Sequence, residues 1–238
     1  MLWKLLLAHV ITDFVLQSKK MVENKATIIT NLKHCVVLFV FSTIFLINVL
    51  DIQIILMLLI ISVTHGIIDF LKVKLEKNNQ NSKWMYFSID QLLHLLIIML
   101  AIFIFKNNIW ITYQVKIFSI IHAVKWFKIA TFFFIITFGG SYFVSLICKS
   151  FTEEFGEMAK NVSNSLVNAG KYIGILERII ISASIIAGRY ELIGFLIAAK
   201  SIIRHHETGN KAFTEYFLVG TFTSFIWAAG FTYLYLAF

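Results

Sequence analysis

The stretch DIQIILMLLIISVTHGIIDFLKVKLEK, residues 51–77, decides how this chain is read. It is long and apolar enough to cross a bilayer as a helix, which takes about 20 residues, yet it carries His65 and Asp69 inside the apolar run. Residues four apart stack on one helix face, so the imidazole and the carboxylate point the same way.

Two further segments repeat the pattern, His9 with Asp13 in LLLAHVITDFVLQ and Asp90 with His94 in SIDQLLHLL. The chain has four aspartates, and three of them belong to these pairs. The rest of the chain reads as scaffold and access route for such a cluster.

Composition sets the solvent. Hydrophobic residues make up 59% of the 238 and charged residues 14%, whereas soluble domains carry about 25% charged residues. The long unbroken apolar runs, with no alternating ten-residue strands, exclude a transmembrane barrel. The fold class is therefore all-α, a polytopic transmembrane helix bundle of about seven, possibly eight, spans. The formal charge of +8 comes from lysines clustered at the ends of apolar segments, where they act as topology and headgroup anchors, so nucleic acid is not an expected partner. Cys35 and Cys148 lie far apart and read as packing residues.

The chain divides into a four-helix half, 1–105, that carries the His/Asp pairs; an interfacial amphipathic segment, 106–128; and a C-terminal transmembrane half, 129–238. Gly139-Gly140 in the latter marks a bend or a close helix contact. Lysines follow helix 1, precede helix 2 and fill the loop between helices 3 and 4. By the positive-inside rule the N-terminus is then outside and helices 1 and 3 run inward, while helix 4 runs outward. Three pairs at one depth must in that case read His-Asp, His-Asp and Asp-His, and they do. The three aspartates form one layer and the three histidines lie about 6 Å deeper.

An ionisable side chain in a bilayer costs about 2.5–3.5 kcal/mol on insertion scales, which makes six of them a functional signal. Three imidazoles and three carboxylates suit one or two divalent ions, zinc first and manganese or iron next. His9, Asp13, His65, Asp69, Asp90 and His94 are the expected ligands. Asp13, Asp69 and Asp90 are the candidate catalytic carboxylates, and Gln17, one turn beyond Asp13, is placed to orient a ligand or a water. The competing uses of such a cluster are a proton or cation path and plain interhelical hydrogen bonding. His34, at the start of helix 2, and His122, His205 and His206 read as interfacial.

A second polar set lies in the C-terminal half. Arg178, Lys200 and Arg204 offer a grip on a lipid headgroup, and Glu177 and Glu215 complete an intramembrane charge network with them.

Taken together, LLLAHVITDFVLQSKKM, HGIIDFLK, DQLLHLL, GRYELIGFLIAAKSIIR and EYFLVGT resemble a family of bacterial integral membrane proteins catalogued only as a domain of unknown function. The likeness implies a multi-pass protein of the bacterial inner membrane and implies no activity. In style the His/Asp cage is similar to the intramembrane metal hydrolases of the adiponectin-receptor and alkaline-ceramidase group, an analogy that does not fix function. The sequence leads to a metal-dependent hydrolase acting on a lipid or lipid-linked substrate through a metal-activated water. The alternatives are a divalent-cation or proton transporter and a non-catalytic membrane scaffold or regulator.

Overall fold

The structure, a computed structural model, describes residues 1–17, 21, 27–77, 82–105, 117–155, 169–205 and 211–238. All regular structure among these is helical. The helices are α1 (Leu2–Ile11), α2 (Ile28–Leu46), α3 (Ile52–Glu76), α4 (Lys83–Ile104), α5 (Ile117–Phe134), α6 (Gly140–Phe155), α7 (Ala169–Ile186), α8 (Glu191–His205) and α9 (Lys211–Ala237). The chain forms two units, Met1–Phe134 and Ile135–Phe238.

In the first unit α1, α2, α3 and α4 make a four-helix bundle, with α5 packed on α1. Local chemistry sets the helix starts. The Thr27 hydroxyl accepts from the Thr30 amide at 3.4 Å, and the Asp51 carboxylate accepts from the Ile54 amide at 2.7 Å, each satisfying a donor the first turn leaves unpaired. The outward faces are apolar, as on α3, where Leu56, Ile60, Val63 and Ile67 are exposed. A helix that is apolar outside and carries its ionisable groups inside suits lipid rather than water.

The inward face of each helix changes character along its length. Leu5, His9 and Asp13 follow one another on α1 and its extension, Ile61, His65 and Asp69 on α3, and Ile98, His94 and Asp90 on α4. Leu5, Leu46, Val49, Ile54, Met57, Leu58, Ile61, Ile98 and Ala101 form a closed aliphatic core at one end of the bundle, and the polar residues occupy the other end. Where α2 meets α3, Gly66 stands against Cys35, whose sulfur occupies the space a β-carbon would take. The Asn31 amide nitrogen donates to the Gly66 carbonyl at 2.7 Å, so the close approach also satisfies a backbone acceptor.

The second unit contains a π-helical turn, Ile135–Gly139, then α6, α7, α8 and α9. Ile181, Ile185, Ile193 and Ala228 form its core. Gly188, with φ 67°, makes the reversal between α7 and α8 in a conformation glycine adopts without steric cost.

Among the described residues, five helical segments are long and apolar enough to cross a membrane: Ile28–Val49, Ile52–Glu76, Lys83–Ile104, Val124–Ser150 and Thr214–Ala237. The chain is a helical membrane protein, and the expected count of seven or eight spans is not confirmed among the described residues. The first helix offers 10 α-helical and 5 π-helical residues, a rise of roughly 20 Å against a hydrocarbon core of ~30 Å. Helix α7 carries Lys171, Glu177 and Arg178, and α8 has 15 residues. Of the expected interfacial segment 106–128, residues 106–116 lie outside the described residues, and from Ile117 the chain is helical into the π turn at Ile135; the two units divide after Phe134.

The Gly66 contact yields a test of this packing. Gly66→Ala is expected to destabilise the protein by about 1–3 kcal/mol, the cost of overpacking a tight contact, and the double variant with Cys35→Ala to regain most of that loss. Thermal unfolding in detergent measures both, and a Gly66→Ala protein as stable as the parent would show that α2 and α3 do not meet there.

Candidate metal centre

The three sequence pairs come together. The His65 and His94 rings lie 4.0 Å apart, His9 and His94 5.0 Å, and His9 and His65 5.3 Å, centroid to centroid. The aspartates stand one turn along each helix, with His9 Nδ1–Asp13 Oδ2 at 3.8 Å, His65 Nε2–Asp69 Oδ2 at 3.4 Å and His94 Nδ1–Asp90 Oδ1 at 3.8 Å. Asp13 sits in the π-helical turn Thr12–Leu16, where the Thr12 hydroxyl donates to the carbonyls of Ala8 and His9, both at 2.9 Å. Such turns re-aim a side chain and are frequent at functional sites.

Three residues that the sequence reading left out of the site belong to it. His34, read as interfacial, is 1% exposed and reaches the carboxylate layer from α2. Its Nε2 lies 2.9 Å from His65 Nε2, 3.1 Å from Asp13 Oδ1 and 3.6 Å from Asp69 Oδ2. The signal for it was the buried stripe His34, Leu38, Ser42 and Leu46, whose spacing of four aims His34 into the bundle. Gln91 bridges α4 to α1, with its amide nitrogen donating to Asp13 Oδ2 at 3.4 Å and Asp90 Oδ2 at 3.1 Å. That orientation turns the Gln91 carbonyl to His9 Nε2 at 3.3 Å, so His9 donates there and Nδ1 keeps the lone pair. Lys72 donates to Asp90 Oδ2 at 3.0 Å.

Gln17 is the C-terminal cap of the π turn, with its Nε2 buried and without a hydrogen-bond partner, and Gln91 makes the bridging contacts in the cluster. His122 and His205 lie on α5 and α8 with their side chains outside the described residues, as is all of His206.

None of the seven His and Asp side chains is more than 6% exposed. Both ring nitrogens of His94, Nδ1 of His9 and Oδ1 of Asp90 are buried without a hydrogen-bond partner. Such groups cost roughly 1–3 kcal/mol each when nothing satisfies them. Ligand atoms of His9, His65 and His94, of Asp13, His34 and His65, and of Asp69, Asp90 and His94 lie within 4.8 Å of one another. Imidazole nitrogens and carboxylate oxygens at such spacing are the donor set of zinc, manganese or iron, so the cluster can hold a metal ion. A cavity of about 10 Å³ lies between the imidazole layer and the aliphatic one, bounded by His9, His65, His94, Leu5, Ile61 and Ile98, about the space one water needs.

The second polar set serves the second unit. Arg178 is 2% exposed. It donates to the Ile136 carbonyl at 2.6 Å, the Thr137 carbonyl at 3.0 Å, and the hydroxyls of Ser141 at 2.6 Å and Ser224 at 3.1 Å. These bonds spend most of a guanidinium's five donors and satisfy carbonyls of the π turn. Gly140 makes room for it, since a β-carbon there would stand 2.7 Å from Arg178 Nε. Lys200 pairs with Glu177 at 2.8 Å. Glu215 is exposed, and the side chain of Arg204 lies outside the described residues.

Fold and site define a helical membrane protein whose first unit buries a His/Asp cluster with the donor set of a divalent-metal centre. The chain belongs to the family described as "Protein of unknown function (DUF3307)", whose profile matches residues 1–121 and so takes in every His and Asp of the cluster. No curated protein and no solved structure matches it.

The Lys72–Asp90 pair gives a direct test of the cluster's electrostatics. Removing one partner of a buried pair costs about 3–5 kcal/mol, because the other charge is left uncompensated. Lys72→Met is therefore expected to lower stability by about 3 kcal/mol, and adding Asp90→Asn to recover most of it. Thermal unfolding in detergent reads both, and no recovery in the double variant would contradict the pairing.

Proposed function

We propose that this chain is a metal-dependent intramembrane hydrolase that acts on a lipid or lipid-linked ester, amide or phosphate. The observation that carries the reading is His94, a buried imidazole with neither nitrogen hydrogen-bonded, beside a water-sized cavity and two further histidines. A bound divalent ion lowers the pKa of water and polarises a carbonyl or phosphoryl oxygen. The chain's own groups supply the rest. His9, with its lone pair on Nδ1, and His94 stand ready to take the proton of an attacking water and return it to the leaving alcohol or amine. Gln91 holds His9 in that tautomer, and Lys72 holds the Asp90 carboxylate in place.

The layered interior favours this reading over transport. A cation path needs polar groups in succession across the bilayer, whereas the aliphatic core of Leu5, Leu58, Ile61 and Ile98 closes the bundle directly beyond the imidazoles. An ion resident at the boundary fits that arrangement better than one in transit. The location in a bacterial inner membrane rests on the sequence resemblance, with the lysine pattern giving the orientation.

The test uses the full chain, purified in detergent, stripped with a chelator and either reloaded with zinc or left bare, then placed in phosphatidylethanolamine/phosphatidylglycerol vesicles. Mass spectrometry of the lipids is expected to show hydrolysis products with the reloaded protein alone, and His94→Gln to lower their rate by about 10²-fold or more. Zinc or proton flux across the vesicles with unchanged lipid would overturn the reading in favour of a transporter. Neither flux nor product, with metal bound, would leave a non-catalytic membrane protein.

A further inference from the structure

The cluster contains seven His and Asp side chains, more than one ion requires, and the distances single out four of them. Resting on the metal reading above, we infer that one divalent ion is held by Asp13 Oδ1, His34 Nε2, His65 Nε2 and Asp69 Oδ2. His9, His94 and Asp90 are not ligands on this assignment, and face the cavity and Lys72 instead.

Four donor atoms define a tetrahedron with six edges. Five are given by the structure: 2.9 Å between the two Nε2 atoms, 3.1 and 3.6 Å from His34 to Asp13 and Asp69, and 3.4 Å from His65 to each. Zinc bonds to nitrogen and oxygen of about 2.0–2.1 Å imply tetrahedral edges of about 3.3–3.4 Å, and the observed edges scatter about that value. The two Nε2 atoms make the same point chemically. With neutral rings, either one Nε2 accepts from the other and turns its lone pair toward a carboxylate oxygen, or both carry hydrogens and set two N–H groups against each other at 2.9 Å. One cation satisfies all four atoms together.

Charge agrees with geometry. With its three carboxylates ionised the cluster would carry three negative charges, and Lys72 sets one positive charge against Asp90 at 3.0 Å. A divalent ion supplies the other two positive charges, so one ion makes the layer neutral in a setting where net charge is costly. A second ion would leave an excess of two. Outside the four-atom set, both ring nitrogens of His94, His9 Nδ1 and Asp90 Oδ1 are buried without a hydrogen-bond partner, and the cavity for a water adjoins those two histidines. The cluster therefore divides into a ligand layer and a proton-accepting layer, and His34, which has no aspartate partner on its own helix, is a ligand.

X-ray absorption at the zinc edge of the unmutated, zinc-loaded full chain tests this without relying on a variant that folds. The expected spectrum has a four-coordinate ion with two imidazoles and two oxygens at about 2.0–2.2 Å. Metal content by elemental analysis is expected near one ion per chain in the parent and in His94→Gln, and near zero in His34→Ala and Asp13→Asn, each checked for monodispersity. Three imidazoles in the spectrum, two ions per chain, or loss of metal from His94→Gln with retention in His34→Ala would overturn the assignment while leaving the metal reading standing. A parent that takes up no zinc at all would sink both.

Discussion

Three carboxylates in the interior of a membrane bundle impose a constraint that the rest of the first unit answers. Their charge has to be compensated where it is generated, because the bilayer offers no water to do so. Lys72 reaches in from the end of α3 to Asp90, Gln91 donates to two of the three carboxylates, and His34 comes in from α2 to Asp13. Each of these groups orders a helix relative to its neighbours. The geometry that would hold an ion is thus also the geometry that fixes the helices, and removing the charge would relax both.

The order of layers gives this constraint its functional form. On α1, α3 and α4 an aliphatic residue, a histidine and an aspartate succeed one another at intervals of four, so three helices present the same sequence of chemistries at matched depth. Aliphatic packing beyond the imidazoles strengthens every electrostatic interaction beside it, which under the proposed function would serve chemistry at a fixed position on a membrane substrate. The second unit uses its buried charge differently, with Arg178 bonded to carbonyls of a π turn and Glu177 to Lys200, bonds that hold its helices together.

Much of this was legible in the sequence, and the failures have physical causes. The three His/Asp pairs could be read because a spacing of four on an apolar helix has one geometric meaning, and because opposite pair order on helices of opposite direction brings them to the same depth. His34 escaped because a lone polar residue near a helix start looks like an interfacial one; only its register with Leu38, Ser42 and Leu46 shows that it points inward. Gln91 lies one residue, about 100°, from Asp90 and joins the cluster through the reach of its side chain. Lys72 looked like a headgroup anchor because it stands near the end of α3, yet its long side chain turns back to Asp90. The π turn at 135–139 has no signature in the residue pattern beyond Gly139-Gly140, so the role of Arg178 could not be anticipated. Seven or eight spans are not confirmed because α1 and α8 are short and α7 carries three charged residues, features that apolar content alone does not weigh.

The most direct measurement of the central claim is anomalous diffraction from crystals of the zinc-loaded protein, collected on either side of the zinc absorption edge. The account expects one peak inside the first bundle, about 2 Å from the side chains of Asp13, His34, His65 and Asp69. A map with no peak in the bundle, from protein shown to be folded and exposed to zinc, would mean that the carboxylates are neutralised by protons and hydrogen bonds, and the metal centre would have to be abandoned.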